Sequence, residues 1–275
     1  MYKKLKMSNT QYPKFTLGNK LTEEQISFFD KNGFIHFSGA ATPEEVKSII
    51  ASTEDLQKKW ISSGIKKING VPIKFGHDEN GTAIVHRFPF TSQYSETVHG
   101  FVTSERIQSL KVLMPKGSRI AENEKDGVIV NHYVNTSNSN FRQMGWHTDS
   151  MRDIFYGKKV MPMLNVGLYL DDSSSDKGGL RIIPGTHKQN MFSMLFKKAY
   201  FMNNDEDKNE MLVDAKAGDV VVHDGRIWHR VAMSPHTGAA SRRRVMYIPV
   251  IIGKYMPKSE DSTTPFYHHF QKLVK

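Results

Sequence analysis

The spacing of apolar and polar residues predicts a helix and a strand near the start of the chain. Apolar residues recur at helical spacing over residues 21–29, where Thr22 is placed to cap the helix and Gln25, three positions later, completes a capping box. Gly33 is expected to end this helix, and the apolar run 34–37 predicts a short strand directly after it. The residues before position 21 are mostly polar and are expected to be flexible.

A second helix is predicted over residues 42–60, because Thr42 can cap it and Pro43 suits its first position. The chain that follows is rich in Gly and Lys and shows no sustained period, which is typical of a loop. Two further elements are predicted in the first half of the chain, a strand over residues 71–75 and a helix over residues 104–113.

The second half of the chain changes to short apolar runs bounded by Gly, Pro, Asp and Ser. Several short strands without helices between them favour an antiparallel sandwich or an open barrel. The predicted fold is therefore mainly β with flanking helices. The predicted strands cover residues 127–134, 163–170, 180–183, 219–223 and 243–252.

Composition and charge narrow the possible classes. The 38 Lys and Arg against 28 Asp and Glu give a net charge of +10, but the basic residues are scattered and no recognition motif accompanies them, which argues against nucleic-acid binding as the main function. No apolar run approaches the roughly 20 residues of a membrane-spanning helix, and no secretion signal is evident, so a cytoplasmic protein is expected. Cysteine is absent, so a metal would be held by His, Asp or Glu.

One pair of residues has the spacing of metal ligands. His147 and Asp149 stand two apart at the start of a predicted strand, so their side chains are expected on one face. A third ligand is needed, and His229, which follows an apolar strand and a turn, is the preferred candidate, with His223 as the alternative. Two His and one carboxylate form the facial arrangement of non-haem iron(II) oxygenases.

A run of arginines, Arg242 to Arg244, begins the last predicted strand. This run has two interpretations. One guanidinium enters the barrel and binds a carboxylate through two parallel hydrogen bonds, or all three side chains are exposed to solvent and bind no ligand. Alternation turns Arg243 away from its two neighbours. Periodicity does not choose between the faces, because both faces of the strand that follows are apolar.

Taken in order, these motifs resemble the phytanoyl-CoA dioxygenase family of iron(II)- and 2-oxoglutarate-dependent oxygenases. The similarity extends from residue 21 to residue 250. The residues that carry it are Trp146-His147-Thr148-Asp149, Leu170-Asp171-Asp172, Gly178-Gly179-Leu180-Arg181-Ile182-Ile183-Pro184-Gly185-Thr186-His187-Lys188, Gly218-Asp219, His229 and Arg243-Arg244.

The resemblance implies a double-stranded β-helix, or jelly-roll, core of the cupin type, with iron held by His147, Asp149 and His229. It further implies a dioxygenase that uses O2 and 2-oxoglutarate to hydroxylate an unactivated carbon of a small organic substrate, with release of succinate and CO2. Because Asp149 keeps the carboxylate that halogenases of the wider group lack, hydroxylation or a related oxidation is expected rather than halogenation.

The resemblance also suggests residues that bind 2-oxoglutarate. The first arginine of the family's pair falls on Arg243, which would meet the distal carboxylate. The stretch before it is somewhat long, so Arg242 or Arg244 remains an alternative. Asn131, on the strand before His147, is a candidate hydrogen-bond partner of 2-oxoglutarate, and a buried amide that satisfies the backbone is the competing interpretation.

The expected organisation is a single catalytic domain over residues 21–252. Residues 21–127 provide helical and strand support, and residues 128–252 form the jelly-roll core. Residues 1–20 form a flexible N-terminal segment, and residues 253–275 form a C-terminal extension.

The substrate is left open by the sequence. The basic balance favours an anionic molecule, but residues 205–207 are acidic and temper that interpretation. The entrance of the site is expected to be framed by residues 62–80, 95–105 and 199–211. Two alternative functions remain. One is a cupin-like metal-binding protein that is catalytically inactive, or that uses zinc or manganese without 2-oxoglutarate. The other is a basic module that binds a polyanion.

Overall fold

The computed structural model describes residues 12–137, 139, 141–155 and 159–265. Its α-helices are α1 (Glu23–Asn32), α2 (Pro43–Ser62), α3 (Thr91–Tyr94), α4 (Glu96–Thr103), α5 (Glu105–Ser109), α6 (Arg152–Phe155) and α7 (Met191–Phe196). Its strands are β1 (Phe34–Phe37), β2 (Lys67–Ile68), β3 (Val71–Pro72), β4 (Lys74–His77), β5 (Ala83–Phe88), β6 (Arg119–Ile120), β7 (Ile129–Tyr133), β8 (Met144–His147), β9 (Met163–Tyr169), β10 (Gly179–Ile182), β11 (Met211–Leu212), β12 (Val220–Asp224), β13 (His229–Ala232) and β14 (Arg243–Ile251).

The first two helices start where capping chemistry places them. The Thr22 hydroxyl accepts the backbone N–H of Gln25, whose side chain accepts the N–H of Thr22, and Gly33 ends α1 with φ 76°. The same box forms at Thr42, and α2 continues to Ser62, two residues past the predicted end.

Twelve of the fourteen strands form two antiparallel sheets, neither closed into a barrel, and β2 pairs with β3 in a separate two-stranded sheet. The large sheet has the order β1-β12-β9-β14-β7-β5-β4, with β6 paired to β14, and the small sheet has the order β11-β10-β13-β8. All five strands predicted in the second half of the chain are present, with ends that shift by at most two residues. The predicted mainly β fold with flanking helices is confirmed.

Alternation along β14 divides the interior into two layers. Met246, Ile248 and Val250 face the helices and pack in the main apolar core, which includes Trp60 of α2. Val245 points the other way and packs with residues of β10 in a second apolar cluster. The inner face of the large sheet therefore lies against the small sheet, and this interface contains the site described below.

Several sequence expectations need correction. The strand predicted over 71–75 is split between β3 and β4, and the helix predicted over 104–113 is α5 followed by a 3₁₀ turn. Several elements were not predicted, among them β5, and α4, which occupies the segment expected to be an entrance loop. Val98, Phe101 and Val102 are the buried residues of α4, and their helical spacing is a signal for this helix in the sequence.

The two terminal segments are described in part. Residues 1–11 and 266–275 lie outside the described residues. Within the segment expected to be flexible, Phe15 forms a bridge to Phe37, and the Tyr12 hydroxyl lies 2.9 Å from His36 Nδ1, so these two residues contact β1. No helix among the described residues is long and apolar enough to cross a membrane.

Candidate active site

Two of the predicted ligands lie opposite each other in the small sheet. His147 is the last residue of β8 and His229 the first of β13, and the two are register partners with ring centroids 4.1 Å apart. Each Nδ1 hydrogen-bonds the backbone carbonyl two residues earlier, at 2.7 Å to Gly145 and 3.1 Å to Ile227. Because Nδ1 donates, Nε2 of each ring is left with the lone pair that a metal needs.

Asp149 completes a cluster with the two imidazoles. β8 ends at His147 rather than starting there, which corrects the prediction, but Thr148 is still extended (φ −124°, ψ 140°). Two-residue alternation therefore persists past the end of the ladder and turns His147 and Asp149 to the same side. One ligand atom from each of His147, Asp149 and His229 lies within 4.8 Å of the others, and all three residues are buried.

The protonation states of the cluster suit a divalent cation. Burial lowers the pKa of His147, and burial together with neighbouring His147 lowers that of His229 well below its usual value. Burial alone would raise the pKa of the Asp149 carboxyl, but His229, the hydrogen bond from His223 and the charge of Arg152 hold it well below its usual value. Neutral imidazoles beside an ionised carboxylate are what metal binding requires.

His223, the alternative third ligand, lies beside the cluster and not in it. Its Nε2 is 3.3 Å from Oδ2 of Asp149, to which it donates a hydrogen bond. His223 is the register partner of Asn165, which donates to the same oxygen at 2.9 Å. The two side chains thus act on the carboxylate from the large sheet, while the cluster draws its imidazoles from the small sheet.

A cavity opens from this cluster between the sheets. Besides the three clustered residues, it is lined by Asn131, Tyr133, Asn165 and Tyr247 on the inner face of the large sheet. Asn131 is buried and its amide makes only a long bond of 3.4 Å to the Tyr133 hydroxyl. The strand register thus brings polar side chains into contact with the space beside the cluster.

Arg243 is a buried cation that faces the space between the two sheets. Its side chain is 2% exposed and its guanidinium lies 5.5 Å from the centroid of the Tyr133 ring. One amino group donates to the Arg142 carbonyl at 3.3 Å, but within the described part of the chain Nε has no hydrogen-bond partner and no carboxylate pairs with the group. The hydroxyl of Tyr169, register partner of Val245 on the same face, is also unpartnered among the described residues.

The other two arginines of the run are placed differently. Arg244 faces away from Arg243 and forms a two-pronged pair with Asp171, with both nitrogen–oxygen distances 2.8 Å. Arg242 precedes β14 and is half-buried. Of the three, Arg243 is the one that enters the space between the sheets with free donors.

One of the three expected entrance segments reaches the cavity. Phe201, from the 199–211 segment, stacks on the His147 ring with centroids 4.9 Å apart. Residues 62–80 and 95–105 contribute no described residue to the cavity lining, because the former reaches the outer edge of the large sheet and the latter forms α4 on the helical side.

Some residues of the site were not singled out by sequence reasoning. Asn165 is one, although a lone amide inside the apolar run of β9 is a usable signal. Tyr133, Tyr169 and Tyr247 are others, and their alternation on neighbouring strands becomes meaningful only once the register is known. Arg87 and Arg152 also line the cavity, and nothing in their local sequence marks them.

The family model described as phytanoyl-CoA dioxygenase (PhyH) matches residues 29–244. The chain belongs to this family. Members of the phytanoyl-CoA dioxygenase family are iron(II)- and 2-oxoglutarate-dependent oxygenases, so the predicted enzyme class and cofactors are confirmed. A search of the curated proteins gave no significant match.

Solved structures share the fold of this phytanoyl-CoA dioxygenase family member. HygX from Streptomyces hygroscopicus with nickel, 2-oxoglutarate and hygromycin B bound is 16% identical, with a TM-score of 0.58 over 84% of this chain and 87% of that chain. The non-heme alpha ketoglutarate dependent carbocyclase SnoK from nogalamycin biosynthesis is 16% identical, with a TM-score of 0.61 over 95% and 94%.

The epimerase SnoN, in complex with Fe3+, alpha ketoglutarate and nogalamycin RO, is 14% identical, with a TM-score of 0.59 over 90% of this chain and 88% of that chain. These likenesses support the jelly-roll core predicted for this dioxygenase family member.

Proposed function

We propose that this protein hydroxylates an unactivated carbon of a small organic substrate, with iron(II) held by His147, Asp149 and His229. The observation that carries the proposal is the buried cluster of three ligand atoms beside a cavity that also reaches polar side chains of the opposite sheet. Two neutral imidazoles and one carboxylate occupy one face of a metal and leave the other positions for cosubstrate and oxygen.

Donors on the inner face of the large sheet, next to Tyr133 of the cavity wall, also fit 2-oxoglutarate. Arg243 is buried with unused N–H groups and no acidic partner among the described residues, and the Tyr169 hydroxyl on the same face of the sheet is unpartnered there as well. A buried cation in this state is costly, and an incoming carboxylate removes the cost through charge-assisted hydrogen bonds. Arg243 is therefore assigned to the distal carboxylate, and Asn131 to a hydrogen bond from the wall of the cavity.

The bound metal and cosubstrate supply the oxidising chemistry, in which O2 and 2-oxoglutarate are converted to succinate and CO2 and one oxygen atom is added to the substrate. The protein's own residues hold and shield this chemistry. Asn165 and His223 donate to Asp149 and fix its orientation, while Phe201 covers the outer side of His147 and limits the access of water.

Related structures carry more than one reaction, because SnoK is described as a carbocyclase and SnoN as an epimerase. Hydroxylation is proposed here because it is the direct outcome of oxygen transfer to a substrate carbon. The products distinguish the three reactions by mass, since hydroxylation adds one oxygen atom, cyclisation removes two hydrogens and epimerisation leaves the mass unchanged.

The proposal is tested by adding iron(II) and 2-oxoglutarate to the protein without oxygen. A weak visible charge-transfer band is expected for the wild type and is expected to be lost in Asp149→Ala. Admission of oxygen should then release succinate, and a panel of small molecules can be screened for compounds that stimulate this release. A wild-type protein that shows neither the band nor succinate would overturn the proposal.

A further inference from the structure

A second group of charges lies on the wall of the same cavity. Arg87 on β5, Asp126 and Arg152 on α6 line the cavity together with His147 and Asp149. Arg87 is the register partner of Asn131 and faces the inside of the large sheet with it. The group therefore borders the space next to the metal ligands.

Among the described residues, the three cations Arg87, Arg152 and Lys258 outnumber the carboxylates Asp126 and Asp149, the latter 3.6 Å from Nη2 of Arg152. Oδ2 of Asp126 accepts from both arginines, at 2.7 Å from Arg87 and 3.2 Å from Arg152. The ammonium of Lys258 also lies within the electrostatic influence of Asp126, Arg87 and Arg152. Lys125, which lines the cavity nearby, does not add to the excess, since it is paired with Asp153 at 2.8 Å.

Two donors in this group are buried and unused. Nη1 of Arg87 and Nζ of Lys258 have no hydrogen-bond partner among the described residues. The Arg87 side chain is only 11% exposed, so water does not fully solvate its charge. Unused cationic donors in a low-dielectric cavity attract an anion strongly.

We propose that Arg87, Arg152 and Lys258 bind an anionic group of the substrate, a carboxylate or a phosphate. This proposal rests on the proposed function, because it places the anion in the cavity that holds the metal. The geometry suits such a group, since the two guanidinium groups meet at Asp126, while Nη1 of Arg87 and Nζ of Lys258 have no hydrogen-bond partner among the described residues.

The cosubstrate is a poorer occupant of this group. Of the two carboxylates of 2-oxoglutarate, one would be held at the metal and the other is assigned to Arg243. Neither is left for Arg87. An anion held here therefore belongs to a second molecule, whose remaining part extends toward the metal ligands.

The test uses the enzyme loaded with manganese(II) and 2-oxoglutarate, which does not turn over. Acetate and methyl phosphate are titrated into it by calorimetry at constant ionic strength. The variants are Arg87→Gln and Lys258→Gln, and the matched control is Lys58→Gln, whose side chain is 77% exposed on α2. The affinity for 2-oxoglutarate is measured on each variant as a separate readout.

Saturable binding of at least one probe to the wild type is expected, weakened about tenfold or more in Arg87→Gln and in Lys258→Gln and unchanged in Lys58→Gln. Preference for acetate identifies a carboxylate, and preference for methyl phosphate identifies a phosphate. The proposal is overturned if neither probe binds saturably, if both variants bind the probes like the wild type, or if the variants lose affinity for 2-oxoglutarate to the same extent.

The two proposals fail in different ways. If the proposed function is wrong, the metal-loaded wild type will not bind 2-oxoglutarate, whether or not acetate or methyl phosphate binds. If only the proposed anion site is wrong, 2-oxoglutarate will bind normally and Arg87→Gln will not change the binding of either probe.

Discussion

Asn165 donates a hydrogen bond of 2.9 Å to Oδ2 of Asp149. An amide that donates to a ligand carboxylate fixes the direction of its lone pairs, and loss of such a contact typically costs 10- to 100-fold in metal affinity. We expect Asn165→Leu to weaken manganese(II) binding by roughly that factor, measured by calorimetry. The matched control is Asn19→Leu, which removes an exposed amide–carboxylate bond to Glu105 and should leave the affinity unchanged.

Substitutions of His223 and His229 are expected to affect metal binding to different extents. His229→Leu removes a member of the cluster and should abolish measurable metal binding, whereas His223→Leu removes only a donor to Asp149 and should weaken it by about 10- to 100-fold. Metal titrations of both variants check this. Equal losses would mean that His223, and not only His229, coordinates the metal.

Arg243→Gln is expected to weaken 2-oxoglutarate binding by roughly ten- to a hundredfold, because it removes charge-assisted hydrogen bonds to a carboxylate. In the absence of 2-oxoglutarate the same variant should be at least as stable as the wild type, since it removes a buried charge that lacks a partner among the described residues.

Arg244→Gln serves as the control for Arg243→Gln, because it breaks the pair with Asp171 and leaves Arg243 in place. It should leave 2-oxoglutarate affinity unchanged and lower the thermal stability. Calorimetry and thermal unfolding of both variants separate binding from stability, and the reverse pattern would assign the cosubstrate to Arg244.

Stability should fall as the pH decreases below neutrality. Burial, with the charges of Arg244 and Arg242, lowers the pKa of His132 from 6.5 to about 3. Between these values His132 binds a proton in the unfolded chain but not in the folded protein. The free energy of unfolding therefore decreases as the pH falls from 6.5 toward 3. From pH 7 to pH 5, His132→Gln should remove about 2 kcal/mol of this loss in urea unfolding.

The exposed His77 provides the control for this measurement, since His77→Gln should show the same pH dependence as the wild type. Other buried histidines contribute to the wild-type slope, so the informative quantity is the difference between wild type and variant. A His132→Gln profile parallel to the wild type would contradict the prediction.

Gly145→Ala should disturb the site although it adds one carbon. A Cβ there would collide with the backbone carbonyls of Phe201 and Asn203, which cannot move like a flexible side chain. We expect a loss of about 1–3 kcal/mol and weaker metal binding, because Phe201 is displaced from the His147 ring. Gly100→Ala in α4 meets nothing within 4 Å and should stabilise the protein slightly.

Much of the fold follows from local sequence signals. The capping boxes at Thr22 and Thr42 mark the first two helices, and apolar runs bounded by turn residues mark β7, β9, β12 and β14. The order of those strands does not follow, because it depends on long-range pairings such as β14 with β9 that no local pattern encodes.

The site was predictable to a similar depth. His147, Asp149 and His229 could be named from spacing and family motifs, and the structure brings them together. The choice among three consecutive arginines could not be made from the sequence, because it depends on which face of β14 meets the small sheet. The hydrogen bonds from Asn165 and His223 to Asp149 could not be predicted from the sequence either, because both donors lie in the large sheet and Asp149 follows a strand of the small sheet.

The imidazoles of His147 and His229 are oriented by main-chain carbonyls two residues earlier in the chain. Every amino acid carries such a carbonyl, so a substitution at Ile227 that preserves the backbone leaves the tautomer of the His229 ring intact. The orientation of the two imidazoles is therefore independent of the side chains that form the cavity wall. Residues of the cavity wall can therefore change in evolution, and with them the substrate, while the two imidazoles proposed to hold the metal keep their orientation.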